Sequence, residues 1–283
     1  MRPFPKTIPV LLTVVSMWGM CTDPALGQFD EMVKHIPGNA NVLVMVNAEK
    51  LFSSQVAKAQ DWQAQRGKRF ESGLTCIPPK ATQAVIGSQV DLEVMRPVWD
   101  AAVIAFKSAP TLADVSQHFG GIEDTIGSMS ALRVADDSYV VRFSDQLLGA
   151  FGPGNRQLVA NWLQQTDMQL SPYLREALGY EDAGAEVILA IDATNALTPA
   201  FVEERLAAAD NADIKKSKLG TKEIVRIVSS LKGVMLGMTF GKQPYAKLKV
   251  DLTEDATPLA DIAGPLVLGA LAKLARVVAD ELV

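Results

Sequence analysis

The sequence predicts an α+β protein with mainly antiparallel sheets and covering helices, and three observations carry that expectation. Short runs rich in Val, Ile, Leu and Met alternate with helix-permissive stretches. Several runs follow closely enough to form hairpins, as Ala131 to Ala135, Tyr139 to Ser144 and Leu147 to Phe151 do. One run, Asn41 to Ala48 (NVLVMVNA), has an echo at Glu186 to Ala193 (EVILAIDA). Both end in a side chain able to cap a helix, Asn47 and Asp192, so each reads as a buried strand handing over to a helix. A second matched pair, Leu112-Ala113-Asp114-Val115 and Leu259-Ala260-Asp261-Ile262, lies downstream: the first pair is 145 residues apart and the second 147. The pattern is that of a duplicated strand-helix-strand-strand-helix unit, for which a ferredoxin-like or split βαβ arrangement is the nearest named motif.

The first 27 residues read as a secretory signal peptide. Arg2 and Lys6 supply its positive end, Ile8 to Met20 its apolar middle, and Ala25-Leu26-Gly27 a small-residue site for cleavage before Gln28. The apolar middle is too short to span a bilayer comfortably. Loss of Arg2, Lys6 and Asp23 with this leader would take the net charge from −5 to −6. An acidic exported chain is a poor partner for nucleic acid or anionic lipid. Cys21 would leave with the leader, so Cys76 remains alone and no intrachain disulfide can form. Its apolar neighbours Leu74 and Ile77 favour burial over reactivity.

Phe29 to Ile36 is a short amphipathic segment, and Pro37-Gly38-Asn39-Ala40 turns the chain into the first strand. Ala48 to Glu71 contains no Pro and carries Leu51, Phe52, Val56, Ala59 and Trp62 at helical spacings, which predicts one long helix with a break near Gly67. Its charges, Arg66 among them, are assigned to a solvated face. Pro78-Pro79 blocks helix and precedes strands at Ala81 to Val90 and Trp99 to Lys107, with Pro97 in the loop between them. Thr111 caps a helix that Gly120-Gly121 stops. The three strands from Ala131 to Phe151 follow, with Asp136-Asp137-Ser138 turning between the first two, and then a helix at Asn155 to Gln165.

A boundary between Thr166 and Gly184 divides the mature chain into halves, 28–170 and 171–283. The second half reads as a strand at Glu186 to Ile191, helices at Thr198 to Ala209 and Thr221 to Leu231, strands at Val234 to Phe240 and Tyr245 to Leu252, and a helix from near Pro258. The apolar stripe of that last helix is most simply a cover for the sheet; attachment to a membrane is the less favoured use.

No constellation of residues specifies a reaction. His35 and His118 are the only histidines and neither has a His or Cys within four residues, which argues against a zinc site of the usual kind. His118 sits at a helix end, where an imidazole meets free carbonyls. Gly220-Thr221-Lys222 lacks the upstream glycine of a phosphate loop, and the cluster Lys215, Lys216, Lys218 and Lys222 is offset by Glu203, Glu204, Asp210 and Asp213. Gly149 to Gly154 joins a strand to a helix as a dinucleotide loop does, but Pro153 has no N–H to give a phosphate, so it reads as a structural turn. The adjacent acids Asp136-Asp137, Glu203-Glu204 and Asp280-Glu281 point apart and make no acid–base pair. The catalytic, cofactor-binding and metal-ligating assignments are therefore all none.

The stretches HIPGNANVLVMVNAEKLFSS, CIPPKATQAVIGSQV and MRPVWDAAVIAF, behind a signal peptide, resemble exported bacterial proteins catalogued as domains of unknown function. The resemblance covers the first third of the chain and implies an envelope or extracytoplasmic setting without an activity. The expectation is an exported, periplasmic or extracellular, non-catalytic protein that binds or scaffolds an envelope ligand through its sheet face or the cleft between its halves. A carboxylate-dependent hydrolase is the alternative.

Overall fold

In the computed structural model, residues 29–72, 77–94, 96–134, 137–165, 167–182, 184–208 and 220–254 are described. Residues 1–27, read above as a leader, Cys76, Asp136, the lysines at 215, 216 and 218, and residues 258–283, read above as a helix and holding Leu259 to Ile262 and Asp280-Glu281, lie outside them. The chain is α+β, and its described residues form ten strands in one sheet of order β10-β9-β8-β1-β2-β3-β7-β6-β5-β4.

The centre is β1 (Val42–Val46), whose two edges pair with β2 (Ala81–Asp91) and β8 (Val187–Asp192). Val44 lies opposite Ile86 on one side and Leu189 on the other. Beyond β2 come β3 (Arg96–Phe106), β7 (Leu147–Gly152), β6 (Ser138–Arg142), β5 (Met129–Val134) and β4 (Ile122–Ile126); beyond β8 come β9 (Leu231–Thr239) and β10 (Tyr245–Leu252). All nine pairings among the described residues are antiparallel. A split βαβ unit joins parallel strands by a crossover, so the ferredoxin-like order is not confirmed.

Because side chains alternate along a strand, β1 supplies both faces of the sheet. Leu43 and Met45 are fully buried in one core, beneath α1 (Asp30–Val33), α6 (Arg156–Leu163) and α7 (Pro172–Glu176). Val46 enters the other core with Ala84, Ile104 and Leu236, against α2 (Ala48–Ser53) and α5 (Leu112–Phe119). The sheet also needs local absences of side chain. A Cβ at Gly87 of β2 would collide with Ile36, and one at Gly149 of β7 would meet the rings of Phe143 and Trp162.

The structure corrects the sequence reading in four places. The long helix is three: α2, α3 (Gln55–Ala59) and α4 (Trp62–Glu71). Ser54 ends α2 in an extended conformation and its Oγ accepts the Ala57 N–H at 3.1 Å, capping α3. Asp61 takes a left-handed φ of 55° and restarts the chain as α4, with Gly67 inside that helix. Pro97 lies within β3, opposite Val90 of β2 beside a register shift and in the part that runs past the end of β7, as suits a proline at a bulge. A fourth strand, β4, precedes the predicted three and joins β5 through Gly127-Ser128, with Gly127 at φ 64°. Strand β9 also begins at Leu231, three residues before the expected start.

Further helices are α8 (Gly179–Asp182), α9 (Pro199–Ala208) and α10 (Thr221–Ser229). The outer rim at β4 is held to α6: Arg156 Nη1 donates to Asp124 and its Nη2 to the Thr125 carbonyl at 2.6 Å, while Tyr139 Oη donates to Asp124 at 3.0 Å. No helix among the described residues is long and apolar enough to cross a membrane.

Leu43→Ala is expected to cost about 2–5 kcal/mol, the range for emptying a filled core site. Lys50→Ala, on the exposed side of α2, should stay within about 0.5 kcal/mol. Urea unfolding of both variants measures the contrast.

Candidate functional site

A recess lies on the second face of the sheet, between α2, α4 and the turn entering β2. Asn47 starts its wall: the side-chain Oδ1 accepts the Lys50 N–H at 2.9 Å, which caps α2 and swings Glu49, Phe52 and Ser53 to one side. Pro78 and Pro79 cannot continue a helix, and the Ala81 N–H donates to the Pro78 carbonyl at 3.0 Å, so the chain turns tightly into β2. Lys80 and Thr82 follow on that turn, and Lys107 and Ser108 close the wall from the end of β3. The recess is open to solvent and has a volume of about 720 Å³, within the usual range for small-molecule sites.

Arg66 of α4 connects these walls. It is 3% exposed. Its Nη2 donates to the carbonyls of Pro78 at 2.6 Å and Ala81 at 3.1 Å, and its guanidinium carbon stands 4.1 Å from the centre of the Phe52 ring. Thus α4 is tied to the turn by hydrogen bonds and to α2 by a cation–π contact. The Nε–H has no hydrogen-bond partner, and no carboxylate pairs with Arg66 among the described residues. Burial pushes its pKa down to about 10, which leaves it charged at neutral pH. Around it the recess carries Lys80, Lys107 and one acid, Glu49, whose carboxylate meets Lys107 Nζ at 3.0 Å on the exposed rim.

A second recess of about 550 Å³ is lined by Thr111, Ser128, Ser130 and Ser144, and its Arg142 pairs with Asp145 at 3.0 Å. Its cation already has a counter-ion.

The residues weighed in the sequence do not converge on either place. His35 stacks on Phe143 with ring centres 4.0 Å apart, and its carbonyl accepts the Trp162 Nε1 proton at 2.5 Å. His118 stacks on Phe70 of α4 at 5.6 Å, a ring contact where the sequence suggested carbonyls. Of the Gly149 to Gly154 stretch, read above as a turn, Gly149 to Gly152 belong to β7, and only Pro153-Gly154 turn the chain into α6, whose N-terminus Asn155 caps by accepting the Gln157 and Leu158 N–H groups. Asp137 pairs with Arg133 at 3.4 Å, and Glu203 and Glu204 are exposed on α9.

Arg66 is the residue that sequence reading missed, since it was assigned to a solvated face. Once α4 is seen to begin at Trp62, the signal is plain: Trp62, Arg66 and Phe70 recur every four residues and form the inward stripe.

No family model matches the chain, and no curated protein matches it. Among solved structures it is similar to TP0453. Crystal form I aligns with a TM-score of 0.46 at 11% identity over 88% of this chain and 85% of that one. Crystal form III gives 0.46 at 9% identity over 83% and 85%. Likeness at this level carries no residue's role across.

Arg66→Lys keeps the charge but not the planar fork. It is expected to lose about 1–3 kcal/mol of stability, whereas Glu49→Gln at the exposed rim should change it by at most about 1 kcal/mol; chemical denaturation separates the two. Burial also holds the His35 pKa below its ordinary 6.5. The unfolded chain therefore binds a proton that the folded chain refuses, and stability should fall as pH drops from 6.5 toward the lower folded value. His35→Gln should flatten that part of the melting-temperature profile.

Proposed function

We propose that this chain is an exported, non-catalytic binding protein of the cell envelope that holds a small ligand in the recess between α2, α4 and the Pro78-Pro79 turn. The observation that carries the reading is the recess itself, whose walls are joined by the Arg66 contacts before any ligand arrives. It offers an aromatic face at Phe52, hydroxyls at Ser53, Thr82 and Ser108, and a buried cation. Preorganised polar groups on an apolar wall are what small-molecule recognition requires. Export rests on the leader pattern in residues 1–27.

The duplication expected from the sequence belongs to this proposal. The two echoing runs are β1 and β8, adjacent and antiparallel, and Val44 stands opposite Leu189, its counterpart 145 residues on. From that pair the row Val44, Ile86, Ala102 runs outward on one side and Leu189, Leu236, Leu248 on the other. On this reading a pseudo-twofold axis through the Val44–Leu189 pair would relate two strand-helix-strand-strand-helix units, with the recess in the first of them.

Melting the chain from Gln28 to Val283 with sugars, peptidoglycan fragments, peptides, nucleotides and divalent metals tests the binding role. A ligand at 100 times its dissociation constant should add about 2.7 kcal/mol, a shift of several degrees in a domain of this size. Turnover of any panel member that Glu49→Gln abolishes would overturn the non-catalytic reading in favour of a hydrolase.

A further inference from the structure

Resting on that reading, we infer that the ligand of the recess is a small organic anion, and that Arg66 receives its carboxylate or phosphate group with Lys80 and Lys107 at the rim. A buried guanidinium is costly unless an opposite charge compensates it. Among the described residues the protein supplies two neutral carbonyls and an aromatic ring, and those engage Nη2 and the guanidinium face. The Nε–H has no partner among the described residues, in a residue that is 3% exposed and lines the recess. An oxyanion is the acceptor that matches a guanidinium in both charge and shape.

The surrounding charges point the same way. Arg66, Lys80 and Lys107 face a single acid, Glu49, so this wall is positive in a chain of net charge −5. Positive ground inside an acidic protein attracts anions locally while the molecule as a whole repels anionic polymers and membranes. That contrast selects a small solute over a macromolecule. The volume of about 720 Å³ leaves room for an organic body beside Phe52, Pro79 and Ala81 in addition to the anionic group.

The test uses the chain from Gln28 to Val283 and three probes at constant ionic strength: inorganic phosphate, succinate and the neutral succinamide. Calorimetry and melting should show binding of phosphate, succinate or both, and none of succinamide. A response to phosphate alone assigns a phosphoryl group to the ligand; a response to succinate alone assigns a carboxylate. Arg66→Met should weaken the bound probe by tenfold to a hundredfold, as expected for loss of a charge-assisted hydrogen bond of about 1.5–3 kcal/mol. Because that variant can also disturb α4, the exposed double variant Lys80→Ala/Lys107→Ala is measured beside it. It should melt like the parent yet bind the anion more weakly and with less dependence on salt. Equal binding of succinate and succinamide, or unchanged affinity in the double variant, overturns the inference. If both anions fail while neutral members of the wider panel still bind in the recess, the anion assignment falls and the binding role stands. If nothing binds at all, both fall.

Discussion

The pairing of β1 on both of its edges is the constraint on which the other elements depend. Five residues, Val42–Val46, set the register of β2 and of β8 together. Asparagines at the two ends complete the hold. Asn41 exchanges two side-chain bonds of 2.7 Å with the backbone of Val90, and its own carbonyl accepts the Asp192 N–H at 2.8 Å. At the other end the Asn47 N–H donates to the Glu186 carbonyl at 2.8 Å. A slip of one residue would send Leu43 and Met45 to the wrong face and leave those amides without partners.

The recess inherits its geometry from that centre. Asn47, the last anchor of β1, is also the first cap of α2, so the direction of the helix is decided where the strand ends. Helix α4 is then tied by Arg66 to the turn that starts β2, the strand beside β1. Strand, helix and turn thus form a closed loop of contacts around the cavity. Its stiffness comes from hydrogen bonds to backbone, which a flexible surface ion pair such as Glu49–Lys107 could not provide.

Much of this was legible in the sequence because period and punctuation are local signals. The strands at β1, β2, β5, β6, β7, β8 and β10 stood out as apolar or alternating runs, and the Thr111 helix announced itself with its cap and its Gly120-Gly121 stop, to which the structure adds a capping box completed by Asp114. What stayed hidden depended on competition between local rules or on the fold. Ser54 and Asp61 are unremarkable within a helical stretch until their side-chain and backbone preferences win over continuation. Strand β4, Ile-Glu-Asp-Thr-Ile, has only one buried residue, Ile126, and therefore no apolar alternation to read. Arg66 meets Pro78 and Ala81, 12 and 15 residues away, only because a turn folds back on the helix. Nothing in its neighbours along the chain states that it will be buried.

The rim at β4 bears on how the molecule behaves in a crowded solution. An outermost strand offers its unpaired backbone groups to any other extended chain, and long sheets grow into aggregates through such rims. Arg156 occupies the Thr125 carbonyl and pairs with Asp124, and Glu123 adds an exposed negative charge to the same strand. An approaching strand would have to displace the arginine and accept the acids at close range. The contact that fastens α6 to the sheet is thereby also a device that keeps one copy of the chain from templating the next.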